Sequence, residues 1–337
     1  MLLELQAQYY EFICFKDYEY SVNRVLNNQC VVLRHDIDRF PHNALKMAHL
    51  EYLLEIRGTY YFRIVPESFD VAIIEKIAEL GHEIGYHYED LDLVRGNSSK
   101  VIPVQRSLGE VGGDRFQVGG TEIRSQNQPV PSNQYSATSN PAYAKKQAPA
   151  GSQQPATDLI DFAMESFVKN LEKMRKIVDV KTICMHGSPL SPYDNRLLWT
   201  KYDYRDYGII GEPYFDVDFS KVAYYTDTGR RWDGDSVSVR DKVVLGDRSQ
   251  VKGDRSRRSI NKPETTPSHL SPNTYHLFPK YRTTHEMIKA IEEGRFPQKV
   301  MLTVHPQRWH DRAMPWVREL VWQNVKNVGK RVLVRFR

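Results

Sequence analysis

Two rhythms alternate along this chain. Short apolar runs of strand length recur in VVLRH (31–35), GTYYFRI (58–64), HEIGYHY (82–88), KTICMHG (181–187), VAYYTD (222–227) and KVMLTVHP (299–306). Between them apolar residues return every three or four positions, the spacing of a helix with one buried face. HNALKMAHLEYLLEI does this through Ala44, Met47, Leu50 and Leu54, and DVAIIEKIAELG does it up to Gly81, a residue suited to a helix C-cap. The longest such stretch runs through Ile160, Ala163, Phe167, Leu171, Met174 and Val178, and NRLLWTKY and THEMIKAIEEG are shorter examples. Strand–helix alternation predicts an α/β protein with a parallel sheet, open or closed into a barrel. Residues 94–156 and 246–274 break the rhythm. They are rich in Ser, Gln, Asn, Pro and Gly, and are expected to be long polar surface insertions in a single domain spanning 1–314.

Most of the candidate chemistry stands just after the strands. His35, Asp36 and Asp38 follow the first run, Arg63 the second, His87 the third, His186 the fourth, Asp227 the fifth and His305 the last. In parallel α/β architectures the C-terminal strand ends share one face, where reactive groups gather. Six strands delivering ionisable groups to one rim point to an enzyme. Asp36 and Asp38 are two apart on an extended segment, so they point the same way and repel unless a cation or shared proton intervenes. His87 and His186 add imidazoles from other strands. One carboxylate with two histidine nitrogens and an open position is a catalytic zinc or iron(II) environment.

Composition narrows the picture. Of the 337 residues, three are cysteines (Cys14, Cys30, Cys184), without the paired spacing of a disulfide framework. The start, MLLELQAQYYEFICF, carries Glu4 early and lacks a basic leader, so neither a signal peptide nor a transmembrane helix is expected, and a cytoplasmic location is. The net charge of +5 is local. Residues 247–262 hold six basic and two acidic residues, residues 315–337 six and one, and the remainder is net negative, which does not suit a nucleic-acid-binding core. The tail 315–337 interleaves Trp316, Val317, Leu320, Val321, Val325 and Val328 with basic residues. It is expected to be an amphipathic helix, packed on the body or lying peripherally on the anionic inner membrane face.

The pieces LRHDID, GTYYFR, GHEIGYHYEDL, MHGSPLSPYDNRLLW, YYTDTGRRWDG and LTVHPQRW together resemble the polysaccharide deacetylase superfamily, the NodB-like carbohydrate esterases, in the family's order. The resemblance implies a distorted (β/α)7-type barrel. It also implies metal-dependent removal of an acetyl group from an N-acetylated sugar in a polysaccharide, or in its lipid- or nucleotide-linked precursor. The metal expected is zinc, with iron, cobalt or nickel as alternatives. By the resemblance, Asp36 matches the general base, Asp38 and His87 match metal ligands, and His305 matches the acid that protonates the leaving amine. Asp227, Arg230 and Trp232 fall near a motif that orients these groups and lines the pocket. Arg63 and Trp309 are expected at the substrate, although Arg63 also suits a structural ion pair. Where the family has a second metal histidine this chain has Leu91, and His186 is expected to fill the place, with Glu89 and Asp90 the other candidates. Two rival readings are a hydrolase of non-peptide C–N bonds in a small non-sugar substrate and an inactive carbohydrate-binding relative. His35, His42, His49, His82 and His310 are expected to be packed or satisfied histidines.

Overall fold

The computed structural model describes residues 1–18, 29–98, 157–187, 191–233, 278–314 and 316–322. The strands are β1 (Glu11–Ile13), β2 (Cys30–Ile37), β3 (Thr59–Phe62), β4 (Glu83–Tyr88), β5 (Ile183–Met185), β6 (Ala223–Thr226) and β7 (Lys299–Val304). The α-helices are α1 (Leu2–Ala7), α2 (Pro41–Leu53), α3 (Val71–Glu79), α4 (Asp90–Ser98), α5 (Thr157–Arg175), α6 (Pro213–Asp216) and α7 (Thr284–Glu292). Six strands form an all-parallel sheet in the order β5-β4-β3-β2-β7-β6, curled into a half-barrel. The short β1 pairs with the first half of β2, Glu11 opposite Cys30, and β3 takes over further along, Arg34 opposite Thr59.

The period of two assigns each strand residue to a face. The outer face buries Val31 and Leu33 of β2 with Leu302 and Val304 of β7 against Leu5 of α1 and Met287 and Ile291 of α7. Further round, Tyr60, Phe62, Ile84, Tyr86, Tyr88, Ile183 and Met185 meet Ala44 and Ala48 of α2, Ile73 and Ile77 of α3, and Phe167 and Leu171 of α5. The concave face holds Val32, Tyr61, Cys184 and Met301, filled from one end by Ile13, Phe15, Val217 and Phe219. Gly85 has a specific task here. A Cβ at this position would meet the Tyr61 ring at 2.3 Å, so only glycine lets Tyr61 cross the floor of the sheet.

Several expectations from the sequence need correction. In α2 the buried positions are Ala44, Ala48 and Glu51, while Leu50 is 62% exposed. Glu51 is drawn inward because His35 Nε2 lies 2.8 Å from its carboxylate and Tyr60 donates to it at 2.7 Å. The segment 195–202 forms a 3₁₀ turn, Asn195–Thr200, because the consecutive residues Leu197, Leu198 and Trp199 are all buried and no single α-helical face could hold them. Residues 94–98 belong to α4, whose Val94 packs on the core. The remainder of 94–156 and all of 246–274 lie outside the described residues, as does the tail 315–337 apart from the helical residues 316–322. Among the described residues no helix is long and apolar enough to cross a membrane.

Candidate metal centre

Across the sheet, the six strands end in or before His186, His87, Arg63, Asp36 with Asp38, His305 and Asp227. Three of these groups converge. Asp38 Oδ1 lies 3.7 Å from His87 Nε2 and 3.5 Å from His186 Nε2, and the two rings meet edge to face at 5.1 Å. The Nδ1 of His87 lies 3.0 Å from the Cys184 carbonyl, which can only accept. Nδ1 therefore carries the proton, and the lone pair of Nε2 faces Asp38. His186 is turned the same way by Glu89, whose carboxylate is 2.8 Å from Nδ1.

These residues fit a divalent metal. Asp38 Oδ1 is buried with no hydrogen-bond partner, an arrangement that is costly unless something electropositive completes it. Ligand atoms held about 2 Å from one ion stand roughly 3–3.5 Å apart, near the separations seen. The other oxygen, Oδ2, accepts from Gln307 Nε2 at 2.7 Å. A second set, Asp36, His87 and Cys184, is also compact. There, however, Arg34 forks onto both oxygens of Asp36 at 2.8 and 2.6 Å, already supplying their positive charge.

The electrostatics of Asp38 and His87 agree with a cation site. Burial alone would raise the Asp38 carboxyl, but the imidazoles of His186, His305 and His87 outweigh it and hold the group below its usual range. Burial and the neighbouring His186 push His87 well below the usual histidine value, keeping its nitrogen free. For His186 burial is overcome by Glu89 and Asp38, and the pKa rises.

Beside this triad stands a second arrangement. His305 Nδ1 lies 2.6 Å from Asp227 Oδ1, and the His305 backbone N–H donates to Oδ2 at 3.1 Å. Arg308 and Trp309 Nε1 donate to the same carboxylate at 2.8 and 2.9 Å. Against the opposing effect of burial, Arg308 and His305 lower Asp227 to about 2. Burial and Arg308 depress His305, but Asp227 wins and its pKa is raised.

Other residues singled out in the sequence take different places. Arg63 does not stand free at the mouth: it forks onto Glu89, with Nε and Nη2 each donating at 2.7 Å. Trp232 is 4% exposed, belongs to the outer core and donates to Thr284 at 2.9 Å, so it offers no platform to a substrate. Trp309 is 42% exposed beside Asp227. Arg230 adopts a left-handed φ of 61°, donates to the Arg308 carbonyl at 3.1 Å and stacks over Trp316 at 5.0 Å. Leu91 is fully buried in the core, so its position could not supply a ligand. Asp90 is likewise turned away, accepting from Tyr86 and Ser166 at 2.7 Å each.

Three contributors escaped sequence reading: Arg34, Gln307 and Arg308. Arg34 had a signal, being two residues from Asp36 on the same strand and hence on the same face. Gln307 and Arg308 had none beyond their closeness to His305. Comparisons with protein-family models, curated proteins and solved structures find no match to this chain.

Proposed function

We propose that this chain is a metal-dependent N-deacetylase of the NodB-like kind, acting on an N-acetylated sugar in a polysaccharide or in its lipid- or nucleotide-linked precursor. In this reading the half-barrel is the core of the distorted barrel of that family. The observation that carries the proposal is the unpartnered Asp38 Oδ1 facing the Nε2 atoms of two histidines, with a carboxylate-backed histidine on a neighbouring strand.

Asp38, His87 and His186 would hold the metal, which when bound supplies carbonyl polarisation and a water acidic enough to deprotonate near neutrality. Asp36 receives the proton of the attacking water. The Arg34 fork keeps its carboxylate aimed, and each oxygen retains a lone pair for that proton. His305 acts at Nε2, because Nδ1 is engaged by Asp227. Its raised pKa suits a donor that must hold a proton until the amine departs. Arg308 and Trp309 fix the Asp227 carboxylate, so the imidazole turns neither away nor into the other tautomer.

The test combines metal analysis with acetate release from nucleotide-linked N-acetylhexosamines and N-acetylated oligosaccharides. Asp38→Ala and His87→Ala should lose stoichiometric metal. Asp36→Ala and His305→Ala should keep it and lose ~10²–10⁴-fold in turnover. Full metal occupancy in the first pair, or near-normal rates in the second, would overturn the assignment. Sugar binding without acetate release by the metal-loaded parent would identify an inactive relative.

A further inference from the structure

His186 sits at the end of the three-residue strand β5, while Asp38 lies past the end of β2, with β3 and β4 between them in the sheet. A ligand set drawn from such distant strands needs something to hold the separation. One guanidinium spans it. Arg63 gives Nε and one terminal nitrogen to Glu89, each at 2.7 Å, and the other terminal nitrogen to the Asp38 carbonyl at 3.1 Å. Glu89 in turn reaches His186 Nδ1 at 2.8 Å. The path from the backbone of one ligand to the ring of the other is thus Asp38–Arg63–Glu89–His186. Side-chain exposure is 18% for Arg63 and 6% for Glu89, so solvent screens the path little. The His186 carbonyl is also pinned, accepting from Asn195 at 3.1 Å, which leaves the ring as the part that needs orienting.

We infer, on the ligand set of the preceding section, that Arg63 and Glu89 are positioning residues: they aim His186 Nε2 at Asp38 and so make a competent metal site without a histidine at position 91. Glu89 does this through its carboxylate 2.8 Å from Nδ1, whose charge favours the proton there and raises the basicity of the opposite nitrogen. Arg63 does it by holding the Glu89 carboxylate flat with two parallel N–H bonds, a geometry a lysine cannot reproduce. Neither residue touches substrate in this role.

The experiment measures zinc affinity by competition with a chromogenic chelator, with far-UV circular dichroism to confirm folding. Glu89→Gln keeps the shape of the side chain, but its amide NH2 must face either Arg63 Nε–H or the His186 Nδ1 side, donor against donor. It should weaken zinc by ~10–100-fold. Arg63→Lys should act in the same direction, and it tests the same path if the first variant fails to fold. The deciding comparison is Glu89→Gln in a His186→Ala background. If Glu89 acts through His186, no further loss appears there; a merely structural role would give the same loss in both backgrounds. The cobalt-substituted parent and Glu89→Gln proteins should also differ in their visible absorption, since the imidazole is reoriented. Parental affinity in Glu89→Gln, or equal losses in both backgrounds, overturns the positioning role alone. Parental affinity in His186→Ala overturns the ligand set as well.

Discussion

Arg34→Met should destabilise the protein by about 3–5 kcal/mol, the usual cost of removing one partner from a buried ion pair. The size follows from the surroundings. The side chains of Arg34 and Asp36 are 1% and 6% exposed, so water cannot replace the lost guanidinium. Burial disfavours the Arg34 charge, yet the adjoining Asp36 carboxylate outweighs it and raises the arginine's pKa further. Arg34 also lies over the rings of Tyr61 and Tyr214, at 5.8 and 5.2 Å, contacts that methionine would keep only as packing. Methionine fills most of the vacated volume, so the loss reports chiefly the stranded carboxylate. Urea unfolding followed by tryptophan fluorescence at neutral pH, with chelator present to remove metal linkage, measures it. Adding Asp36→Asn should reduce the loss to about 1–3 kcal/mol, the cost of a poorly satisfied buried amide. An Arg34→Met protein within about 1 kcal/mol of the parent would refute the reasoning, as would a double variant that loses the sum of the two single losses.

The Asp227–His305 pair should make stability depend on pH from both sides. Asp227 is lowered to about 2, so its contribution is full above the ordinary carboxylate value and drains as pH falls towards about 2, roughly 2 kcal/mol in all. His305 is raised, so its share is full below the ordinary histidine value and drains as pH rises through the raised one; unfolding free energies across acid and neutral pH should lose both limbs in Asp227→Asn. Phe167→Ala should cost about 3–5 kcal/mol, because the ring is fully buried against Trp199 at 5.0 Å and Tyr86 at 5.5 Å, and a thermal midpoint unchanged from the parent would count against that packing. In the tail, Val317, Val321 and Trp322 are 46%, 58% and 58% exposed, and residues 315–337 carry six basic residues against one acidic. Cosedimentation with anionic vesicles should be salt-sensitive and vanish on truncation after residue 314, each nearby basic residue contributing ~1 kcal/mol; no binding at low salt would rule it out.

The strands and the rim they serve were legible because both depend on local pattern. An apolar run bounded by polar residues marks a buried strand, and the position after it marks the C-terminal edge of a parallel sheet. That logic put His87, His186, Asp38 and His305 on one rim before any coordinates. It could not see partners. Leu50 was placed on the apolar stripe of its helix, yet it is exposed, and Glu51 is held inside by His35 and Tyr60. Arg63 and Trp232 were read by their positions near motifs, although Glu89 engages the first and Thr284 the second. Each of these outcomes turns on a contact between segments distant in sequence, for which no periodicity carries a trace. Leu91 shows the converse: its apolar character was readable, but only the packed core shows that the residue serves as filling.

The pairing of β4 with β5 has a consequence for how such a centre can change over time. His87 stands opposite Cys184, 97 positions away in sequence, yet the two strands are immediate neighbours. The ladder itself sets the spacing of the two ligands, so long as the two strands stay in step. A slip of one residue is a different matter. It would present Met185 where His186 should be and turn the histidine outward. What resists the slip lies behind the sheet, where Ile183 and Met185 seat among Tyr88, Phe167 and Trp199, and Trp199 donates to the Tyr88 hydroxyl at 2.8 Å. Drift in that greasy layer can therefore silence the chemistry without touching a ligand.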